Sequence, residues 1–250
     1  IDDENIQEMI AQVSRPFITY GFSELADVRV VDYLQTGTSS QFKIKHNNEL
    51  TEINLSLPGK HNALNTTAAF LIAKALDADL TKALGALKTF QGVGRRFQNM
   101  GELSVEGNTF TLIDDYAHHP VEVAVTLQAA KAAWPTRRIV AVFQPHRYSR
   151  TAELLDDFGR ELSKFDALVL MDVFSAGEQP SQGVDSKALA KCIRGRQLVE
   201  PILVADEPEL MQVLASVVRA DDVVVMMGAG SIGRMVVSLT KTFCIAGERM

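Results

Sequence analysis

The residues Leu112-Ile113-Asp114-Asp115-Tyr116-Ala117-His118-His119-Pro120 put two carboxylates, a phenol and two imidazoles into one short run. Carboxylates paired in this way can orient a cation or an ammonium group, and the imidazoles can carry a proton. A simple helix cap needs one acceptor, not five polar groups. Residues 109–113 are rich in β-formers and read as a strand, and Pro120 fits a first helical position. Val123, Leu127, Ala130 and Trp134 then follow at helical spacing and form one apolar stripe. The run is therefore a polar loop between a strand and a helix. Open α/β sheets place ligands at such carboxyl ends.

A second run, Gln144-Pro145-His146-Arg147-Tyr148-Ser149-Arg150, follows a strand read at residues 138–143. His146, Arg147 and Arg150 form a concentrated positive site at a helix start, suited to a phosphate or a carboxylate. The plainer alternative is a solvated cap with surface ion pairs. Arg95 and Arg96 sit together in a glycine loop, FQGVGRRF. One of them can point into a cleft between domains and neutralise a phosphoryl group, and ordinary surface arginines are the alternative. Gly228, Gly230 and Gly233 spell the dinucleotide fingerprint between a strand and a helix, but only 17 residues follow Gly233. That leaves no room for the rest of a βαβ unit and its ribose-binding acid. A tight turn for packing, or a turn close to another ligand, fits better than NAD. The histidines match no zinc spacing, there is no HExxH, and no nucleophile elbow is present.

The elements that must position these groups fall into two kinds. In the first part, Ile6, Met9, Ile10 and Val13 fit a short helix that Asp2 or Asp3 can cap. Strands are read at residues 17–20 and 27–34. A hairpin or meander is read at 41–45 and 52–57 around Asn47-Asn48. A helix opens after Pro58-Gly59, with Asn62 as a candidate N-cap and Leu64, Ala68, Leu71 and Ala75 as its buried side. Asp79 can cap a second helix with Leu80, Leu84 and Leu87. In the later part, a hairpin around Gly107-Asn108 leads into alternating strands and helices. One of these is a single helix over residues 151–165 with Leu154, Phe158, Leu162 and Phe165 on one face. The last helix buries Ile232, Val236, Leu239 and Phe243. Continuous apolar strands with helices between them predict a parallel sheet covered on both faces. The fold class is α/β: a Rossmann-like, mostly parallel sheet over residues 94–250, preceded by a partial mixed α/β domain over residues 1–93.

The 250 residues carry a formal charge of −6 with acids and bases intermixed, which argues against nonspecific nucleic-acid binding. Cys192 and Cys244 lie far apart, form no ligand-spaced pair and no disulfide framework, and suit a reducing cytosol. No apolar stretch is long enough for a membrane helix, and there is no secretory start. The chain opens at Ile1 without an initiator methionine, which reads as a fragment or a processed product.

Four runs, GKHNALNTTAA, FQGVGRRF, DDYAHHPVEV and FQPHRYSRT, occur in this order. Together they closely resemble the bacterial Mur ligases, above all the branch that adds L-alanine to UDP-N-acetylmuramate. A murein-tripeptide recycling branch shares a DD[YF]AHHP-like run, but QPHRYSR looks more like the alanine-adding branch. The resemblance implies a cytoplasmic ATP- and magnesium-dependent carboxylate–amine ligase of peptidoglycan precursor synthesis, working through an acyl phosphate that an amine then attacks. It implies three domains, of which this chain resembles the later half of the central ATP-binding domain and the last, Rossmann-like one. The family's P-loop, and the glutamate and histidine that hold magnesium, have no counterpart here, and Gly59-Lys60-His61 lacks the GxxxxGK[ST] pattern. The isolated chain is therefore expected to be inactive and to hold no metal.

The remaining roles come from the same resemblance. Asn62 and Asn65 match asparagines of the ATP site on its adenine side, and Arg96 an arginine near the ATP phosphates. Asp115 matches an acid that orients ATP or domain closure. His118 matches the run near the incoming amino acid and the UDP-sugar carboxylate, and His146, Arg147 and Arg150 are expected to contact substrate carboxylate or phosphate. Arg96, Asp115 and His118 are the catalytic candidates. A noncatalytic nucleotide-binding module and a dinucleotide-dependent oxidoreductase are the competing readings.

Overall fold

The computed structural model describes residues 1–181 and 183–243. Cys244 lies outside the described residues. The chain divides into two compact units, Ile1–Gly92 and Val93–Met250.

The first unit contains α1 (Glu4–Ile10), β1 (Tyr20–Gly21), β2 (Val28–Thr36), β3 (Ser39–His46), β4 (Glu49–Leu55), α2 (Lys60–Ala75) and α3 (Leu80–Thr89). The sheet runs β1-β2-β3-β4, with β2, β3 and β4 an antiparallel meander and β1 added in parallel. Alternation along the strands sends Val28, Val30, Phe42, Ile44, Ile53 and Leu55 into a core closed by Ala63 and Phe70 of α2. Asp3 caps α1 by accepting from the Ile6 N–H, while Asp2 accepts from Phe22 and Ser23 instead. None of the α1 residues is buried.

Several sequence expectations change here. The strand expected at residues 17–20 shrinks to Tyr20–Gly21, and Phe17 and Ile18 stay exposed. Its partner β2 begins pairing only at Val28, opposite Tyr20. Asn62 is not the N-cap of α2. Gly59, at φ 92, turns the chain into the helix earlier, and the Asn62 carboxamide donates to the Pro58 carbonyl at 2.7 Å. This start rotates the buried face to Ala63, Thr67 and Phe70. Thr67 is tolerated there because its hydroxyl bonds back to the Ala63 carbonyl. Of the face expected from sequence, Leu64 and Leu71 pack partly buried against this core, while Ala68 and Ala75, with Leu71 beside them, line an open groove of about 510 Å³ with Phe17, Ile18 and Tyr20. Asp79 does cap α3, accepting from the Lys82 N–H.

The second unit contains β5 (Gln98–Val105), β6 (Asn108–Asp115), α4 (Pro120–Ala133), β7 (Ile139–Phe143), α5 (Tyr148–Glu153), α6 (Leu155–Leu162), β8 (Ala167–Met171), α7 (Ser186–Arg194), β9 (Pro201–Val204), α8 (Glu207–Val217), β10 (Val223–Met227) and α9 (Ile232–Thr242). The sheet order is β5-β6-β10-β7-β8-β9, parallel except for β5. Every residue of β7, β8 and β10 is buried, because α4, α6 and α7 cover one face and α8 and α9 the other. The hairpin turn falls on Glu106 and Gly107, both at positive φ, and Asn108 already pairs with Val105.

The single helix expected over residues 151–165 is broken at Leu154 into α5 and α6. Residues 148–153 offer little apolar surface, and α5 buries only Thr151, whereas α6 buries Phe158 and Leu162. Because β10 is inserted between β6 and β7, the segments leaving adjacent strands diverge to opposite faces. This is the switch point at which open α/β sheets leave a crevice.

Candidate functional site

Successive strand residues face opposite ways, and at the end of β6 this separates the two aspartates. Asp114 is buried beneath Arg95, whose Nε lies 3.3 and 3.2 Å from its two carboxylate oxygens and whose Nη2 donates to the Gly228 carbonyl at 2.6 Å. The Arg95 guanidinium also sits over the Tyr116 ring at 5.1 Å. Burial pushes the Asp114 carboxyl up, and the Arg95 charge partly offsets it. Asp115 accepts from the Phe97 N–H at 2.9 Å and the Ala117 N–H at 2.7 Å. It thereby ties the chain entering β5 to the chain leaving β6. Burial pushes its carboxyl up to about 6 despite these bonds.

Neither aspartate caps α4. His119 does so through Nδ1, and Glu122 reaches back to the His118 and His119 N–H groups at 2.9 and 3.2 Å, completing a capping box. Pro120 at the helix start and the buried Val123, Leu127 and Ala130 agree with the sequence reading. The His118 Nδ1 is 2.8 Å from the Tyr116 carbonyl and 3.3 Å from Glu122. Both neighbours are acceptors, so a proton sits on Nδ1.

At the end of β7, Gln144 is buried, donates to the Ser231 hydroxyl at 3.0 Å and accepts from the Ile232 N–H at 3.0 Å. It thus fastens β7 to the start of α9. His146 stacks on Phe174 with ring centroids 5.6 Å apart, and its Nδ1 lies 3.4 Å from Arg150 Nη1. Burial, then the charges of Arg150, His118 and Arg147, hold the His146 imidazole below its usual range. Both effects favour its neutral form. Arg147 begins α5 at φ 71 and exposes half of its side chain, 3.9 Å from Glu178. The His118 and His146 rings meet edge to face at 5.9 Å, which joins the two polar runs into one cluster.

The glycine turn after β10 is shaped by the protein's own groups. Gly228 adopts φ 149, and a Cβ there would lie 2.8 Å from the Gln144 carbonyl oxygen. A Cβ on Gly230 would lie 2.5 Å from the Phe174 ring, and one on Gly233 2.6 Å from the Arg95 guanidinium carbon. The three glycines make room for Gln144, Phe174 and Arg95, which is the packing reading of the turn.

Of the residues expected from sequence, Arg96, Asp115, His118, His146, Arg147 and Arg150 all belong to this end of the sheet in the second unit. Arg96 exposes half of its side chain, 3.4 Å from Glu122 and 5.6 Å from the Tyr116 ring. Asn62 and Asn65 lie on α2 of the first unit, half-buried and exposed respectively. Sequence reasoning missed Gln144, Phe174 and Glu178 as parts of the site. Gln144 opens a run that was singled out. Phe174 and Glu178 lie in a loop whose only visible signal is its length and glycines.

The burial of Asp115 gives a signed pH dependence. Its folded value, about 6, exceeds the ordinary carboxylate value of 3.8. The folded state therefore binds more protons between these values, and stability falls as pH rises through the window. The difference corresponds to roughly 3 kcal/mol. Urea unfolding of Asp115→Asn between pH 4 and 8 is expected to show a flatter profile than the parent chain. Parallel profiles would show that Asp115 titrates like an exposed carboxylate.

Comparison with known proteins matches residues 95–230 to the family described as Mur ligase, glutamate ligase domain, and residues 1–73 to Mur ligase middle domain. Among solved structures, the UDP-N-acetylmuramate-alanine ligase of Thermotoga maritima is 27% identical with a TM-score of 0.74. That match covers 90% of this chain and 47% of the other. A murein peptide ligase from Psychrobacter arcticus is 20% identical with a TM-score of 0.67, covering 98% of this chain and 51% of that one. The MurF ligase of Thermotoga maritima, solved in complex with ADP, is 19% identical with a TM-score of 0.67, covering 96% and 52%. The chain spans about half the length of these solved relatives. Among the described residues no helix is long and apolar enough to cross a membrane.

Proposed function

The chain belongs to the Mur ligase family, and we propose that the intact protein is a cytoplasmic ATP-dependent ligase joining L-alanine to UDP-N-acetylmuramate in peptidoglycan precursor synthesis. The observation that carries this reading is the meeting of His118 with His146, beside Arg147 and Arg150, at the carboxyl ends of β6 and β7. The identity to the Thermotoga maritima alanine ligase supports the same choice within the family.

The residues divide the work by their chemistry. Arg147 and Arg150 are the carboxylate and phosphate donors. In its neutral form His146, with Nδ1 turned to Arg150, carries its proton on Nε2 and adds a third donor. His118 is the base for the amine, because its Nδ1–H is fixed by the Tyr116 carbonyl and, in the neutral ring, Nε2 can accept a proton. Asp115 has both oxygens engaged by backbone N–H groups, so it acts by holding the segment that bears Arg96. ATP, when bound, supplies the phosphoryl group that activates the carboxylate. Taken by chemistry within each unit, Arg96 of the second offers an exposed guanidinium suited to phosphate, and Asn62 and Asn65 of the first share one helix face suited to the adenine side. Among the described residues no group of three acidic, histidine or cysteine side chains converges to hold a metal.

The test is phosphate release with ATP, magnesium, UDP-N-acetylmuramate and L-alanine, on the intact gene product and on the 250-residue chain. Activity in the intact product alone is expected. Release with an L-alanyl tripeptide but not with L-alanine would assign the recycling reaction. Silence in both folded proteins would leave a nucleotide-binding module.

A further inference from the structure

We propose that Glu178 is the specificity residue that reads the ammonium group of the incoming amino acid, so that the strand-end cluster selects a zwitterion and not a simple anion. This rests on the reading of Arg147 and Arg150 as the carboxylate donors. Phe174 and Glu178 belong to the loop between β8 and α7, and that loop is fastened to the β7 end at two places. Phe174 stacks on His146, accepts from the Arg147 N–H at 2.8 Å and donates to the Pro145 carbonyl at 2.8 Å. The chain then reverses through Ala176 and Gly177, both at positive φ, and the Glu178 N–H donates to the Ser175 carbonyl. The carboxylate is thereby delivered to the start of α5, where it accepts from the Ser149 N–H at 3.0 Å and the Ser149 hydroxyl at 2.6 Å.

Those two bonds leave acceptor capacity, since a carboxylate offers about four lone-pair sites. The nearest cation, Arg147 Nη1, stands off at 3.9 Å, outside hydrogen-bond reach, and a quarter of the Glu178 side chain faces solvent. The Ser149 hydroxyl and N–H hold the carboxyl below its usual range, so it is charged at neutral pH. A site built only for phosphate gains nothing from a fixed negative charge beside its arginine, because that charge repels the ligand. An amino acid needs both signs close together. Arg147 and Arg150 supply one and Glu178 the other, and one charge-assisted bond is worth about tenfold to a hundredfold in affinity.

Calorimetric titration of the 250-residue chain with L-alanine and with propionate, which lacks only the ammonium group, tests this. The parent chain is expected to prefer L-alanine by at least about tenfold, and Glu178→Gln to lose that preference while binding propionate equally or more tightly. Ser149→Ala removes one contact to the carboxylate but leaves its charge, and is expected to keep the preference. If Ser149→Ala and Glu178→Gln lose it together, Glu178 acts only by ordering the loop and the proposal falls. Equal binding of L-alanine and propionate by the parent chain also overturns ammonium recognition, while leaving the carboxylate site standing. Failure of both ligands to bind removes the carboxylate site and the proposal with it.

Discussion

Arg95→Ala is expected to lower the stability of the second unit by about 3 kcal/mol, the low end of the cost of breaking a buried ion pair. The low end applies because a quarter of the arginine side chain is still exposed, whereas Asp114 is almost wholly covered. Truncation leaves the Asp114 carboxylate without a counter-charge and the Gly228 carbonyl without its donor, and opens a void against Gly233. Arg95→Lys keeps a charge but cannot fork between the two acceptors, so an intermediate loss is expected. The loss has a pH sign. Arg95 opposes the upward push of burial on Asp114. Its contribution is therefore present when the carboxylate is ionised and fades as pH falls and the carboxyl protonates. Adding Asp114→Asn to Arg95→Ala should recover part of the loss, because the uncompensated charge is gone. The single tryptophan, Trp134, stacks on Phe97 at 6.1 Å and reports unfolding of this unit by fluorescence. Equal urea midpoints for parent and Arg95→Ala would show that the pair contributes nothing.

Much of the second unit was legible in the sequence, because five-residue apolar runs such as those of β7, β8 and β10 leave little choice but buried parallel strands. Local capping chemistry was legible too: Asp79 accepts from the third residue after it, as its position before an apolar run suggests. What failed was register. In α2 the small and apolar residues run almost all round the helix, so periodicity could not fix the inner face, and the positive φ of Gly59 moved the start. The break at Leu154 was hidden because Leu154, Phe158 and Leu162 keep helical spacing across it.

The candidate site was legible as residue types but not as roles. The two polar runs were visible, and topology alone brings His118 and His146 together. The contrast between Asp114 and Asp115 could not be read, since it depends on partners from other segments: Arg95 for one, Phe97 and Ala117 for the other. Gly233 carries no visible reason in sequence, because the group it admits is Arg95. Glu178 sits in a loop without periodicity, and only the fold delivers it to Ser149.

Arg96→Ala is expected to do the reverse of its neighbour. Arg96 exposes half of its side chain and its ion pair with Glu122 is long, at 3.4 Å. Such a surface pair contributes about 1 kcal/mol or less, so the chain should keep its urea midpoint. On the proposed assignment of Arg96 to the ATP phosphates, the same change in the intact protein is expected to cost about a hundredfold to a thousandfold in kcat. Arg96→Lys should restore only part of this, since an ammonium group cannot span two phosphate oxygens. The two arginines are adjacent and identical in type, so neither composition nor spacing separates them. Phosphate release and urea unfolding, measured on both alanine variants, do. An Arg96→Ala enzyme with parental kcat would move the phosphate contact to another residue. An Arg96→Ala chain as unstable as Arg95→Ala would mean that both side chains serve to hold the loop entering β5. The charge facing ATP would then have to come from elsewhere in the intact protein.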